Sequence, residues 1–318
     1  MRDRFIERLT RMAEQDPRIV LITGDLGFGV LNEYQERFPK QFINAGVAEQ
    51  NMTGIAAGLA LEGHIVYTYS IANFVFMRCL EQIRNDAAYH DCNVNVVSVG
   101  GGFSYGALGI SHHATEDLAI MRSLPGLTVV APGDDWEAAE ATEAIASKSG
   151  TTYLRLDKSS AGNTQKGDET FELGKIRTLR EGQDCTLIST GGILAETLAA
   201  ADELNRKGLS CRVLSVHTLK PLDVNTLILA ARETKGIITI EEHTVEAGLG
   251  SAVAENLMEA GVMPLYFQRI GLRNTFSSVV GSQQYLRSHY NMDRDSIIVA
   301  VESMPSKNST PATTKMVA

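Results

Sequence analysis

Short runs of β-branched and other apolar residues alternate along this chain with longer stretches in which apolar positions recur at helical spacing. The runs 19–23, 42–44, 64–69, 93–99, 128–131 and 152–156 read as strands, and 4–15, 49–62, 74–90, 114–124 and 135–147 read as helices. Strict alternation of the two is the pattern of a parallel sheet with crossover helices. The polar stretch DKSSAGNTQKGDE then interrupts it and reads as a linker. A second alternation follows, with strands at 185–190, 210–216 and 236–240 and helices at 193–207, 224–233 and 251–260. The expected organisation is α/β in two domains, 1–158 and 173–303, joined by a linker at 159–172 and ending in a disordered tail at 304–318.

Composition narrows the class of function. A chain of 318 residues suits about two domains. Its net charge of −9 argues against a nucleic-acid or anionic-membrane partner, because both are bound mainly by neutralising phosphate. No apolar run approaches the ~20 residues that span a bilayer. The first residues, MRDRFIERLTRMAEQDP, mix charges with apolar positions at helical spacing and lack a signal peptide's apolar centre. Cys79, Cys92, Cys185 and Cys211 form neither a CxxC pair nor a zinc pattern, which fits a reduced, cytoplasmic compartment.

Candidate chemistry concentrates in residues 42–62, FINAGVAEQNMTGIAAGLALE, a strand ending in Asn-Ala-Gly and a helix whose first turn holds Glu49, Gln50 and Asn51. Gly54, Ala57 and Gly58 lack bulk, so another backbone can approach, and strand-to-helix junctions are where α/β sheets place ligand clefts. Taken alone, Glu49 is an acid favoured by a helix dipole.

The segment GVAEQNMTGIAAGLA resembles the G-[IV]-[AS]-E-Q-x(4)-A-x-G motif of the pyrimidine-binding domain of transketolases and deoxyxylulose-phosphate synthases. The resemblance implies that Glu49 hydrogen-bonds N1′ of the aminopyrimidine ring of thiamine diphosphate, where only a carboxyl group can share the proton the cofactor needs. In TYSIANFVFMRCLEQIRNDAAY, Phe74 matches the aromatic that stacks on that ring. Phe76 is the second candidate, and Ile71 stands where the family often has another Phe. The stretch GGGFSYGALGISHHATEDLAIMRSLPGLTVVAPGD resembles the family's G-x-D-G-P-[ST]-H-Q-x-x-E-[DQ] loop. His112 falls on its substrate-contacting histidine, and His113 replaces Gln. Arg2 and Arg155 match two phosphate-contacting arginines. Other substrate positions are changed: Leu108 stands for a hydroxyl-binding Asp, Gly100 lies near a substrate-binding His, and Gly29 replaces a phosphate-binding Ser. Segments between 181 and 257 resemble the family's C-terminal domain, which usually serves subunit association, and this implies a structural role for His243.

The resemblance also implies an absence. Transketolases hold the diphosphate and its divalent metal, Mg2+ or Ca2+, through a G-D-G…N motif that this chain lacks, so that half of the site belongs to an N-terminal partner subunit. The expected assembly is an α2β2 heterotetramer that transfers a two-carbon ketol unit from a ketose or ketose phosphate to an aldehyde or ketone. The changed positions point to a non-standard acceptor among small sugars. Two other readings compete: the β subunit of a 2-oxoacid dehydrogenase, and a non-catalytic assembly subunit that would have no need of Glu49, Phe74 and His112. A nicotinamide site fails because neither glycine cluster, 27–29 or 100–102, continues as G-x-G-x-x-G into a helix.

Overall fold

A computed structural model describes residues 1–305. The tail expected at 304–318 therefore lies, except for its first two residues, outside the described residues. Six strands of the first half, β1 (Ile19–Thr23), β2 (Phe42–Asn44), β3 (Ile65–Ile71), β4 (Val94–Val99), β5 (Thr128–Val130) and β6 (Thr152–Leu156), form one parallel sheet. The second half contributes β7 (Arg177–Arg180), β8 (Cys185–Thr190), β9 (Cys211–Ser215), β10 (Thr218–Lys220), β11 (Ile237–Thr244) and β12 (Phe267–Leu272). Of these, β10 crosses over and pairs antiparallel with β5 at the edge of the first sheet, in the order β10-β5-β6-β4-β3-β1-β2. The other five make a second sheet, β12-β11-β8-β9-β7, parallel except for β7.

Strand β4 is buried at every position, as expected of a central parallel strand covered on both faces. Helices Glu49–Leu61 and Ala72–Phe76 pack on one face through Met52, Ala56, Val75 and Phe76. Helices Arg2–Gln15 and Asp135–Ala146 cover the other through Phe5, Leu9, Ala138 and Ile145.

Two helices differ from the expected pattern. The single helix expected at 74–90 is instead Ala72–Phe76, then Leu80–Gln82, then a wide π turn over Ile83–Ala88. The apolar spacing runs through the break, so periodicity alone cannot reveal it. Wide turns of this kind commonly mark functional positions. The helix expected from 114 begins only at Asp117, because Ala114 is bridged to Gly102 by reciprocal backbone bonds of 2.7 and 3.0 Å. Strands β7, β10 and β12 and helices Gln283–His289 and Arg294–Glu302 have no counterpart in the expected elements.

The halves are tied by a buried ionic network. Arg155, 2% exposed, donates to Asp157 at 2.9 Å, to Asp117 at 3.2 Å and to the Glu242 carbonyl at 3.0 Å. The Glu242 carboxylate accepts from the Phe103 amide, Gln283 and Arg287. Residues 157–176 carry no helix or strand, yet Asp157 accepts from the Gly192 amide and Ser159 from Arg287.

Candidate active site

Parallel α/β sheets place ligands beyond the carboxyl ends of their strands. Here that edge gathers Asp25 after β1, the Asn-Ala-Gly turn after β2, Phe74 after β3, the loop with Tyr105 and His112 after β4, and Lys158 after β6. Asn44 braces the first turns: its Oδ1 accepts from the amides of Asp25 and Gly46, both at 3.0 Å, and its Nδ2 donates to Asp25 at 3.1 Å. Asp25 and Gly46 both have positive φ, a conformation that favours glycine and that short polar residues tolerate. This bracing aims the helix Glu49–Leu61 so that its first residue, Glu49, turns inward beside Gly24. A Cβ on Gly24 would sit 3.3 Å from Glu49 Cγ.

Glu49 is 5% exposed, and both carboxylate oxygens accept from Arg78 Nη1, at 3.1 and 3.2 Å. The same guanidinium lies over Phe74, its Cζ 4.1 Å from the ring centre. On the other side Phe74 meets His112 edge-on, with ring centres 5.3 Å apart. Asn73, Phe74, Met77, Arg78, Ile110 and Ser111 line a shallow groove in front of this cluster. The sequence-derived trio of Glu49, Phe74 and His112 is thus joined in one chain of contacts, with Arg78 as an unforeseen member. Its spacing, four residues after Phe74 in a helical pattern, is the signal that could have found it.

His112 Nδ1 lies 2.9 Å from Ser111 Oγ. Partial burial first, then the positive fields of His113 and Arg78, hold its pKa below the ordinary histidine value, so the ring is neutral at pH 7. In the tautomer in which the serine hydroxyl donates to Nδ1, Nε2 carries the proton and is free to donate.

Other sequence candidates lie elsewhere. Phe76 is fully buried, edge-on to Tyr153 at 6.4 Å, and presents no face to the groove. Ile71 is half-buried at the end of β3. His113 is buried, with Nε2 3.1 Å from the Gly106 carbonyl and its ring on Phe103, so it pins the loop that carries His112. His243 is buried with Nδ1 on the Thr244 carbonyl and Nε2 accepting from the Ala119 amide, as a structural histidine would be. Arg155, expected to contact an anion, is instead consumed by the interdomain network: its side chain follows the alternation of β6 inward, and reaching a ligand would break its bonds to Asp117, Asp157 and Glu242. Three residues later, Lys158 is exposed, with Nζ 3.8 Å from the Tyr105 ring centre. It shares a pocket with Arg2, Tyr105 and Val99. Burial and then Arg2 lower its pKa from the ordinary lysine value. Arg2 is exposed and paired with Asp3 at 2.9 Å.

The changed positions also have a geometry. Gly100 has φ +90°, and a Cβ there would collide with the Tyr105 ring, which fills the space a side chain at 100 would need. Leu108 and Ile110 project into solvent at the rim, as does Phe28 beside Gly29.

Residues 1–163 match the family model for the transketolase pyrimidine-binding domain, and residues 174–297 match that for the transketolase C-terminal domain. The chain belongs to the transketolase family. It is 36% identical, over 97% of its own length and 95% of the relative's, to a 6-deoxy-6-sulfo-D-fructose transketolase subunit of Clostridium sp. strain MSTE9. It is also 36% identical to one of the subunits of the apulose-4-phosphate transketolase of Phocaeicola vulgatus, over 93% of this chain and 94% of that one. A solved structure described as a split gene transketolase, inactive beta4 tetramer, superposes with a TM-score of 0.85 at 34% identity, covering 95% of this chain and 96% of that one. The chain is therefore of the transketolase type, a transferase similar to the subunits of split transketolases.

The family implies thiamine diphosphate, and the residues fit its aminopyrimidine ring. A planar, nitrogen-rich group already rests against the Phe74 face with its N–H donors on the Glu49 carboxylate, the two contacts such a ring would make. The Asn73 Oδ1 atom, on a groove-lining residue, is buried with no hydrogen-bond partner. Among the described residues there is no His, Cys, Asp or Glu cluster suited to a metal ion, and no helix long and apolar enough to cross a membrane.

Proposed function

We propose that this chain is the pyrimidine-binding subunit of a split transketolase that takes a ketol unit from an anionic ketose and passes it to an aldehyde or ketone other than ribose 5-phosphate. The observation that carries the reading is the contact chain Glu49–Arg78–Phe74–His112 on the ligand edge of the first sheet. Thiamine diphosphate, once bound, would supply a carbon nucleophile and an electron sink for cleavage of the carbon–carbon bond beside a ketose carbonyl. Glu49 holds the shared proton at ring N1′ in a place nearly closed to water. Phe74 supports one ring face. His112 Nε2 donates to the ketose oxygen where negative charge develops. Arg2 and Lys158 hold the anionic end of the sugar, the second in the place expected for Arg155. Holding the diphosphate and its Mg2+ or Ca2+ falls to the partner, in an α2β2 assembly in the cytoplasm, where the four thiols, free in this structure, stay reduced.

The altered acceptor rests on Leu108 and on Tyr105 in the space over Gly100, which remove a carboxylate and an imidazole and leave a flatter, more apolar wall. The two relatives named above act, by their names, on a sulfonated and a phosphorylated sugar, and both substrates carry an anion that Arg2 and Lys158 could hold. The test is to assemble the chain with its partner, supply phosphorylated and sulfonated ketoses with a panel of aldehydes and ketones, and analyse products by mass. Ketol transfer from anionic donors to acceptors other than ribose 5-phosphate is expected. Preference for ribose 5-phosphate overturns the altered acceptor, and release of carbon dioxide from pyruvate as the main activity overturns ketol transfer.

A further inference from the structure

Arg78 bonds both Glu49 oxygens, at 3.1 and 3.2 Å, while lying 4.1 Å from the centre of the Phe74 ring. One planar cation thus occupies together the acid and the aromatic face assigned above to the aminopyrimidine. The chemistry of the two groups is alike. A guanidinium offers in-plane N–H donors to a carboxylate, an aminopyrimidine shares a proton with the same acid through ring N1′, and each offers a flat delocalised face to an aromatic ring. They cannot occupy the same carboxylate and the same ring face at once.

We propose that Arg78 is a built-in competitor of the aminopyrimidine, a cap that closes the pyrimidine seat in the free chain and swings out when the cofactor enters. The proposal rests on the reading of Glu49 and Phe74 as that seat. Three features support it. A carboxylate buried as Glu49 is would be costly without a partner, and Arg78 is its only ion-pair partner among the described residues. Arg78 has no other hydrogen-bond partner among those residues, and its side chain is 49% exposed, so departure breaks little else and the guanidinium returns readily to water. It also sits in the break between the helices Ala72–Phe76 and Leu80–Gln82, outside either helix, where a side chain can move without repacking the core.

The consequence is a threshold. The ring alone must displace Arg78, so the observed affinity is lowered by the fraction of chains whose seat is open. Firm capture then requires the diphosphate contacts of the partner, and cofactor loading becomes coupled to assembly.

The probe is 4-amino-5-(hydroxymethyl)-2-methylpyrimidine, the ring without the diphosphate, titrated into the full chain alone by calorimetry, with thermal melting as the check on folding. Arg78→Ala should bind it more tightly than the natural chain by about tenfold, as expected if roughly a tenth of natural chains have an open seat, with Arg78→Lys in between. Adding Glu49→Gln or Phe74→Ala to Arg78→Ala should abolish that gain. If Arg78→Ala fails to fold, Arg78→Gln, which keeps chain length, gives the same comparison. Equal, weaker or absent binding by the Arg78 variant overturns the cap; where both chains bind equally and both lose binding with Glu49→Gln, the seat itself still stands. A gain that survives Glu49→Gln and Phe74→Ala places the ring elsewhere and overturns both seat and cap.

Discussion

Two arginine–carboxylate groups lie near the same edge of the first sheet and are built in opposite ways. Arg155 takes partners from three segments, Asp157, Asp117 and the Glu242 backbone, and Glu242 in turn gathers Phe103, Gln283 and Arg287. The group is almost entirely out of water and reaches from one half of the molecule to the other. Arg78 has one acidic partner and one aromatic face, and half of its side chain is in solvent. A buried charge with all its bonds made is expensive to disturb, because removing one member leaves the others unpaired. A half-exposed charge that shares one partner is replaceable by a ligand of like shape. The charge is the same in both, and the number and origin of the partners separate a structural arginine from one poised for exchange.

The comparison is most sharply strained by Glu49→Gln, which keeps shape but cannot share the proton. Turnover of the assembled enzyme should fall by about 10²–10⁴-fold, with the melting temperature of the subunit little changed. Steady-state rates of the pure variant complex check this, and a near-normal rate would remove Glu49 from the chemistry. Arg155→Met should do the reverse, lowering unfolding free energy by about 3–5 kcal/mol because Asp117 and Asp157 are left buried and unpaired. Denaturant titration reads it; a loss under about 1 kcal/mol would place the network with weak surface pairs.

Lys158→Ala should raise KM for an anionic ketose by about tenfold, the scale of one charge-assisted hydrogen bond, leaving kcat and KM for an uncharged ketose unchanged. Equal effects on both substrates would return Lys158 to a packing role on Tyr105. The smallest effect concerns pH. Burial lowers the pKa of His217 to about 3 and of His243 to about 4 from 6.5. Burial prevails at His243 although Asp117 and Glu241 lie 3.8 and 3.6 Å from its ring nitrogens. Between these values and 6.5 the unfolded chain binds protons that the folded chain refuses, so this stability is complete above pH 6.5 and is lost as pH falls. Glu241, raised to about 7 by burial, acts oppositely: its contribution is complete below 4.5 and is lost as pH rises through 7. Two histidines against one glutamate leave a net loss on acidification. His243→Asn should flatten the dependence of unfolding free energy on pH between 4 and 6.5 by about one proton; an unchanged slope would show that His243 titrates alike in both states.

Much of this was legible in the chain itself. Strands 19–23, 152–156 and 185–190 fall where the apolar-rich runs place them, because a strand buried on both faces is built mainly of apolar and β-branched residues, and the partly buried edge strand 42–44 also falls on its run. Glu49, Phe74 and His112 could be named because they stand in local motifs tied to a strand end or a helix start. Periodicity records only which side of an element is buried, and says nothing of what lies across from it. It could not find β10, a three-residue strand that exists by pairing with β5 across some ninety residues of chain. Nor could it tell that Arg155 turns inward while Lys158 stays at the rim, that Tyr105 fills the space over Gly100, or that Arg78 bridges Glu49 and Phe74. Those relations arise where loops from separate strands converge on one sheet edge, and a charged side chain's role there is set by the partners that tertiary packing brings within reach.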